Sequence, residues 1–280
     1  MDQPYMEEEQ QEMSFVDHLE ELRWHIIRAL GSIFVFGTIA FLAKGFVFHD
    51  IILAPARTDF LSYRVMCALG QKVGTDALCF TEMGFTIQSR QMSGQFTMHL
   101  LVSVVLGLAC AFPYAFWEIW RFVRPGLYPQ ERKNSQGAVF FVSILFIMGL
   151  LFGYYVVSPI SINFLAGYQV DPTIVNEFDL SSYISTLTTL CLACAFMFEM
   201  PVIVFFLTKA GLITPETMKL YRRHALIVIL VVGAIITPPD VVSQLLISMP
   251  LMLLYEASIS VSRSIRNSDL KRLNENNTID

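Results

Sequence analysis

Apolar residues fall into six runs, at 25–48, 97–120, 138–165, 183–209, 224–236 and 241–259, and most charge lies outside them. The longer runs meet or exceed the roughly 18–20 residues that cross a bilayer as a helix. None alternates with period two, which argues against a transmembrane β-barrel. The pattern predicts an all-α, polytopic membrane protein with six spans. Pro113, Pro159, Pro201 and Pro250 lie inside or near the ends of the second, third, fourth and sixth runs. Each removes a backbone hydrogen bond, so kinks are expected there, and kinked helices splay into a concave bundle. The fifth run holds 12 uninterrupted apolar residues, 225–236. As a helix that is about 18 Å, against about 30 Å of hydrocarbon. Either the bilayer thins or partners shield it, or it is a core helix that never faces lipid.

Ahead of the first run lies SFVDHLEELRWHIIRAL, residues 14–30. Leu19, Leu22 and Ile26 recur at helical spacing, which predicts a separate amphipathic helix at the interface, leading into the first span. Ser14 with Asp17 three residues on fits its cap. The expected organisation is one membrane domain over 1–280. It comprises an acidic tail at 1–13, a six-span core at 14–263 and a polar tail at 264–280.

Composition agrees with the pattern. The chain is 54% hydrophobic and 15% charged, whereas a soluble domain carries about 25% charged residues. The acidic N-terminus lacks the basic region of a cleavable signal peptide, so the first span is expected to insert and stay. Net charge, −5, says little; the placement of Lys and Arg says more. One set of loops and ends holds 14 of the 19 basic residues, and the other five cluster at or near the loop 49–96. The positive-inside rule then puts both termini, the loop 122–133 and the segment 210–224 in the cytoplasm. Cys67 and Cys79 share the loop on the opposite side, where an oxidising space would permit a disulfide. Cys191 and Cys194 are spaced like a redox or metal pair, but an apolar run without further ligands favours a packing face. Gly149 and Gly153 form a GxxxG, another sign of close helix packing.

Four stretches carry chemistry: HLEELR (18–23), FVRPGLYPQERK (122–133) with its lead-in WEIWR, FMFEMP (196–201) and AIITPPDVVSQ (234–244). Glu21 and Glu131 are two carboxylates at one membrane surface with no catalytic partner nearby in sequence. They suit recognition of guanidinium groups, whose planar fork matches a carboxylate. The alternative is that each pairs with a neighbour such as Arg23 or Arg132. Glu199 sits in an apolar run at a cost of about 2.5–3.5 kcal/mol. It serves either a proton pathway or a structural hydrogen bond to a neighbouring helix or partner. Asp240 reads first as the N-cap of the sixth span. No ATP-binding loop, esterase elbow or metal-ligand spacing occurs, so neither a cofactor nor a metal is expected.

In this order, HLEELR, FVRPGLYPQERK, FEMP, GLITPE and ITPPDVVSQ resemble the TatC family, the multispanning core of the twin-arginine protein translocase. The resemblance runs from about Ser14 to Arg263. It implies six transmembrane helices in a concave, glove-like bundle in the bacterial cytoplasmic (inner) membrane. It also implies a receptor rather than an enzyme. Such a receptor binds twin-arginine signal peptides at the cytoplasmic face. With TatB-like and TatA-like single-span partners it supports export of folded proteins driven by the proton-motive force. Homo-oligomers and membrane lipid are implied as further partners; nucleic acid is not. Carried over by position, the signal-peptide site matches Glu21, Arg23, Phe122 and Glu131. Pro55, Glu199 and Asp240 match further functional positions. Two departures stand out: where the family often has a second basic residue after ELR, this chain has Trp24-His25, and its first periplasmic loop, with Cys67 and Cys79, is long. A proton-coupled secondary transporter is the rival reading, and it would call for an internal repeat that the chain does not show.

Overall fold

The computed structural model describes residues 15–74, 79, 85–123, 137–171, 173–174, 176–236 and 241–276. Five helical stretches among them are long and apolar enough to cross a membrane: Glu20–Leu42, Gly94–Val123, Ala138–Gly167, Leu180–Lys209 and Gln244–Asn267. A sixth helix, Arg222–Ile236, lies between the last two and has only 15 residues. That is about 22 Å, well short of a bilayer core. Leu226, Ile227, Val228, Val231 and Ile235 on it are all exposed. It is therefore not an internal core helix. Its apolar flank is left for lipid or a partner, as one of the two sequence readings required.

The first helix, α1 (Phe15–Leu42), is continuous. The separate interfacial element expected at 14–30 is instead its first turns, because no proline or turn residue breaks the helical pattern there. Ser14 lies outside the described residues. Beyond Leu42 the chain unwinds through a π-helical turn, Val47–Ile52, and a 3₁₀ turn, Ala54–Ala56. Irregular backbone in a buried place needs partners for its carbonyls. Three tyrosines supply them. Tyr154 donates to Ile51 O at 2.7 Å, Tyr183 to Ile52 O at 2.8 Å, and Tyr63 to Pro55 O at 3.0 Å. Tyr63 lies on α2 (Leu61–Val73) and also reaches Pro159 O at 3.0 Å. The sequence spacing of these residues gives no hint that they meet. A disulfide joins Cys67 on α2 to Cys79, which settles the pairing that the sequence left open.

Among the described residues the chain continues through α3 (Gly94–Val123), α4 (Ala138–Phe152), α5 (Ser158–Gly167), α6 (Leu180–Met197), α7 (Met200–Lys209), α8 (Pro215–Leu220), α9 (Arg222–Ile236) and α10 (Val241–Asn276). The prolines act unequally. Pro159 follows a π-helical turn, Gly153–Val157, and Pro201 follows a break at Phe198 and Glu199. The helix runs on through Pro113 in α3 and Pro250 in α10. Helix α10 also continues through most of the segment expected as a polar tail. The motif GLITPE is a helix stop and start. Gly211 has φ +71, and Thr214 caps α8 by accepting from Thr217 N.

Packing between helices depends on missing side chains. A Cβ on Gly107 of α3 would lie 2.7 Å from Gly37 N and from Ile33 O of α1. A Cβ on Gly149 would lie 2.6 Å from Cys194 O, and one on Gly153 would lie 2.9 Å from Cys191 Cα. The GxxxG of the third span thus seats on the Cys191/Cys194 face of the fourth. The two small-residue patterns are the two halves of one contact. On the far side, β1 (Thr86–Gln88) pairs in parallel with β2 (Glu177–Asp179), in register Thr86 to Glu177. Arg90 N donates to Asp179 Oδ1 at 3.1 Å, and its guanidinium meets Glu177 at 3.3 Å. The Ser181 hydroxyl and the Arg90 N–H hold the Asp179 carboxyl below its ordinary range.

Two outcomes follow from this packing. Gly149→Val should destabilise the purified protein by about 1–3 kcal/mol, the cost of overpacking, read as a lower thermal midpoint. Gly31→Ala, with nothing within 4 Å of its Cβ, should leave the midpoint in place. Alkylation of denatured, unreduced protein should mark three cysteines, Cys110, Cys191 and Cys194. After reduction it should mark all five.

Candidate functional site

The inner end of the bundle, where charge counting places the cytoplasm, is built by the start of α1 and the end of α3. These helices run antiparallel along the Gly37–Gly107 seam, so residues near 21–28 meet residues near 114–122. His25 is 5% exposed and Glu118 is 1% exposed, although both lie in apolar spans. They face each other: His25 Nδ1 lies 2.6 Å from Glu118 Oε2. An ionised carboxylate only accepts, so the imidazole donates from Nδ1. Tyr114 donates to the other oxygen at 3.0 Å, and Arg28 Nη1 lies 3.9 Å from Oε2. The buried charge is thus met from three sides, as burial demands.

His25 also faces outward. Its Nε2 is 4.0 Å from Glu21 Oε1, one helical turn earlier on α1. Its ring packs obliquely on Phe122, with centroids 6.2 Å apart. Glu21 and Phe122, two of the four residues expected at the signal-peptide site, are therefore brought to one histidine. Arg23 is exposed on α1, two residues from Glu21 and on another face of the helix. Glu131 lies outside the described residues, in the segment that follows α3 directly. So does Asp240.

Two expected residues stand apart from this group. Pro55 is buried in the 3₁₀ turn beyond the other end of α1, under the Tyr63 hydroxyl. Glu199 occupies the break between α6 and α7 in the fourth span and is 8% exposed. Among the described residues neither of its carboxylate oxygens has a hydrogen-bond partner. The structural hydrogen bond offered as one sequence reading is absent among those residues. Sequence reasoning missed Glu118 and the role of His25. The signal that drew attention to Glu199, a carboxylate inside an apolar run, applied equally to Glu118.

Comparisons with known proteins bear on the whole chain. The profile of the family described as Sec-independent protein translocase protein (TatC) matches residues 17–250. The Sec-independent protein translocase protein TatC of Blattabacterium sp. subsp. Periplaneta americana (strain BPLAN) is 37% identical over 259 residues, covering 92% of this chain and 97% of the relative. That of Desulforapulum autotrophicum is 32% identical over 277 residues, covering 98% and 94%. Among solved structures, a crystal structure of the twin-arginine translocase receptor TatC in DDM superposes with a TM-score of 0.69. It is 29% identical in sequence over 88% of this chain and 99% of the other. A second crystal structure of that receptor gives a TM-score of 0.64. The fold match agrees with a six-helix, glove-like bundle in which the short α9 takes its place among the longer helices. Matched by a family profile over residues 17–250 and by relatives along nearly its full length, this chain belongs to the TatC family of Sec-independent protein translocase proteins.

Proposed function

We propose that the inner end of the bundle binds twin-arginine signal peptides, with Glu21 and Glu131 receiving the two guanidinium groups. The observation that carries this reading is the meeting of Glu21 and Phe122 at His25. It places a carboxylate and an apolar ring at the root of the segment that carries Glu131. Each charge-assisted contact supplies about 1.5–3 kcal/mol. Arg23, two residues on and on another face of α1, borders the same surface. The apolar part of the signal peptide then lies along the bundle past Glu199.

This chain acts as the receptor core of a translocase in the bacterial cytoplasmic membrane. Single-span partners of the TatA and TatB kind, and further copies of the chain, complete the assembly. Folded cargo crosses at the expense of the proton-motive force. Two features support an assembly larger than one chain. The exposed apolar flank of α9 offers a surface in the plane of the membrane. Glu199 is a carboxylate whose oxygens lack hydrogen-bond partners among the described residues, as expected where the partner comes from another chain.

Export of a folded reporter bearing a twin-arginine signal, in cells lacking their own copy, tests the reading. The wild-type chain should restore export. Glu21→Ala and Glu131→Ala should each weaken signal-peptide crosslinking by about tenfold or more, the loss of one charge-assisted contact. Unchanged crosslinking in the double variant would overturn the assignment. Glu199→Leu should stabilise the isolated chain by about 1–3 kcal/mol, the relief of an unsatisfied buried group, read as a higher thermal midpoint. The same variant should reduce export. A lower midpoint would show that Glu199 is satisfied within the chain.

A further inference from the structure

Among the described residues, His25 is where the expected site meets the buried carboxylate of the second span. Its Nδ1 is held by Glu118 at 2.6 Å, its Nε2 faces Glu21 at 4.0 Å, and its ring lies against Phe122. Each contact comes from a different position: one turn earlier on α1, and two points one turn apart on α3. Glu118 is itself fixed, with Tyr114 on Oε1 and Arg28 near Oε2. A side chain clamped on one nitrogen cannot turn, so the other nitrogen keeps one direction. Long, exposed Glu21 would otherwise sample many rotamers and lose their entropy on binding.

We infer that His25, anchored by Glu118, is a positioning residue that holds Glu21 and Phe122 in the geometry that receives a guanidinium. This rests on the recognition proposed above. It gives a task to the Trp24-His25 departure, which otherwise reads as a lost positive charge. It also gives one to Glu118, a carboxylate that a seam of packed helices does not need. The arrangement favours a donor lying flat against Phe122 while it meets Glu21, which an arginine fork does and a lysine ammonium does not.

The test is a double-mutant cycle on the full chain in nanodiscs. The probe is a fluorescent peptide with two consecutive arginines ahead of an apolar stretch, compared with its twin-lysine counterpart. Wild type should bind the arginine peptide more tightly, and Glu21→Gln should weaken that binding. Glu118→Gln should weaken it about tenfold in the wild-type background and hardly at all in the Glu21→Gln background, the signature of coupled residues. His25→Leu should behave like Glu118→Gln. His25→Arg keeps a donor between the two carboxylates and should restore most of the preference for arginine over lysine. Thermal midpoints separate misfolding from lost positioning, because the arginine-to-lysine ratio need not follow the midpoint. Three results overturn the inference. If Glu21→Gln leaves binding unchanged, the recognition reading fails and takes the inference with it. If Glu21→Gln weakens binding but Glu118→Gln costs the same in both backgrounds, recognition stands and positioning by His25 falls. If His25→Arg is as weak as His25→Leu, the histidine acts only in packing.

Discussion

Close approach of helix backbones is the constraint on which this structure rests. Inside a bilayer, helices gain little from burying apolar surface, because lipid is as apolar as leucine. Contact area at short range has to hold them together. Gly107 against Gly37 lets the first two spans touch backbone to backbone, and Gly149 and Gly153 do the same for the third and fourth. The first seam does more than bind. It fixes α1 against α3 in a single register, and that register brings His25 to Glu118 some 93 residues away in sequence. The charged end of the bundle is thus a by-product of the glycine end. A register shift of one turn, about 5.4 Å, would strand both polar side chains in apolar surroundings. Glycine seam and hydrogen bond enforce the same alignment.

Run length and composition made the spans legible in the sequence, and basic residues gave their direction. Placement within the bundle was less so. The GxxxG and the Cys191/Cys194 spacing were each visible, but nothing along the chain says that two small-residue patterns 40 residues apart are complementary. Gly107 lies in a small-residue series, Ser103, Gly107 and Ala111, but Gly37 has Ile33 and Phe41 four residues to either side, so the sequence does not show that the two glycines meet. The strands β1 and β2 have three residues each, too few for periodicity, and only their pairing defines them. The site divides the same way. Glu21 and Phe122 are singled out by ordered motifs, and each lies near His25. Glu118 was hidden because its meaning depends on a partner in another span. Glu131 and Asp240 lie outside the described residues, so their reading still rests on motif order.

Two carboxylates in the apolar spans are buried, Glu118 and Glu199. Both are nearly inaccessible, yet their surroundings are opposite. Glu118 has a histidine, a tyrosine and an arginine around it; Glu199 sits at a helix break with no hydrogen-bond partner among the described residues. A buried carboxylate with partners helps to organise the chain that holds it, whereas Glu199 leaves both oxygens unpaired among the described residues. The fold places these two environments in its second and fourth spans.

The small sheet at the outer end carries a mechanical consequence. Strand β1 leads into the second span and β2 into the fourth, and Arg90 ties the two across the turn. Those spans are therefore pinned like the legs of a pair of tongs, with the rivet on the outer side. At the inner side the same two spans meet again, where Trp120 of α3 packs on Phe206 of α7 with ring centroids 5.0 Å apart. The pair is thus clasped at both ends, by polar contacts outside and by aromatic rings inside.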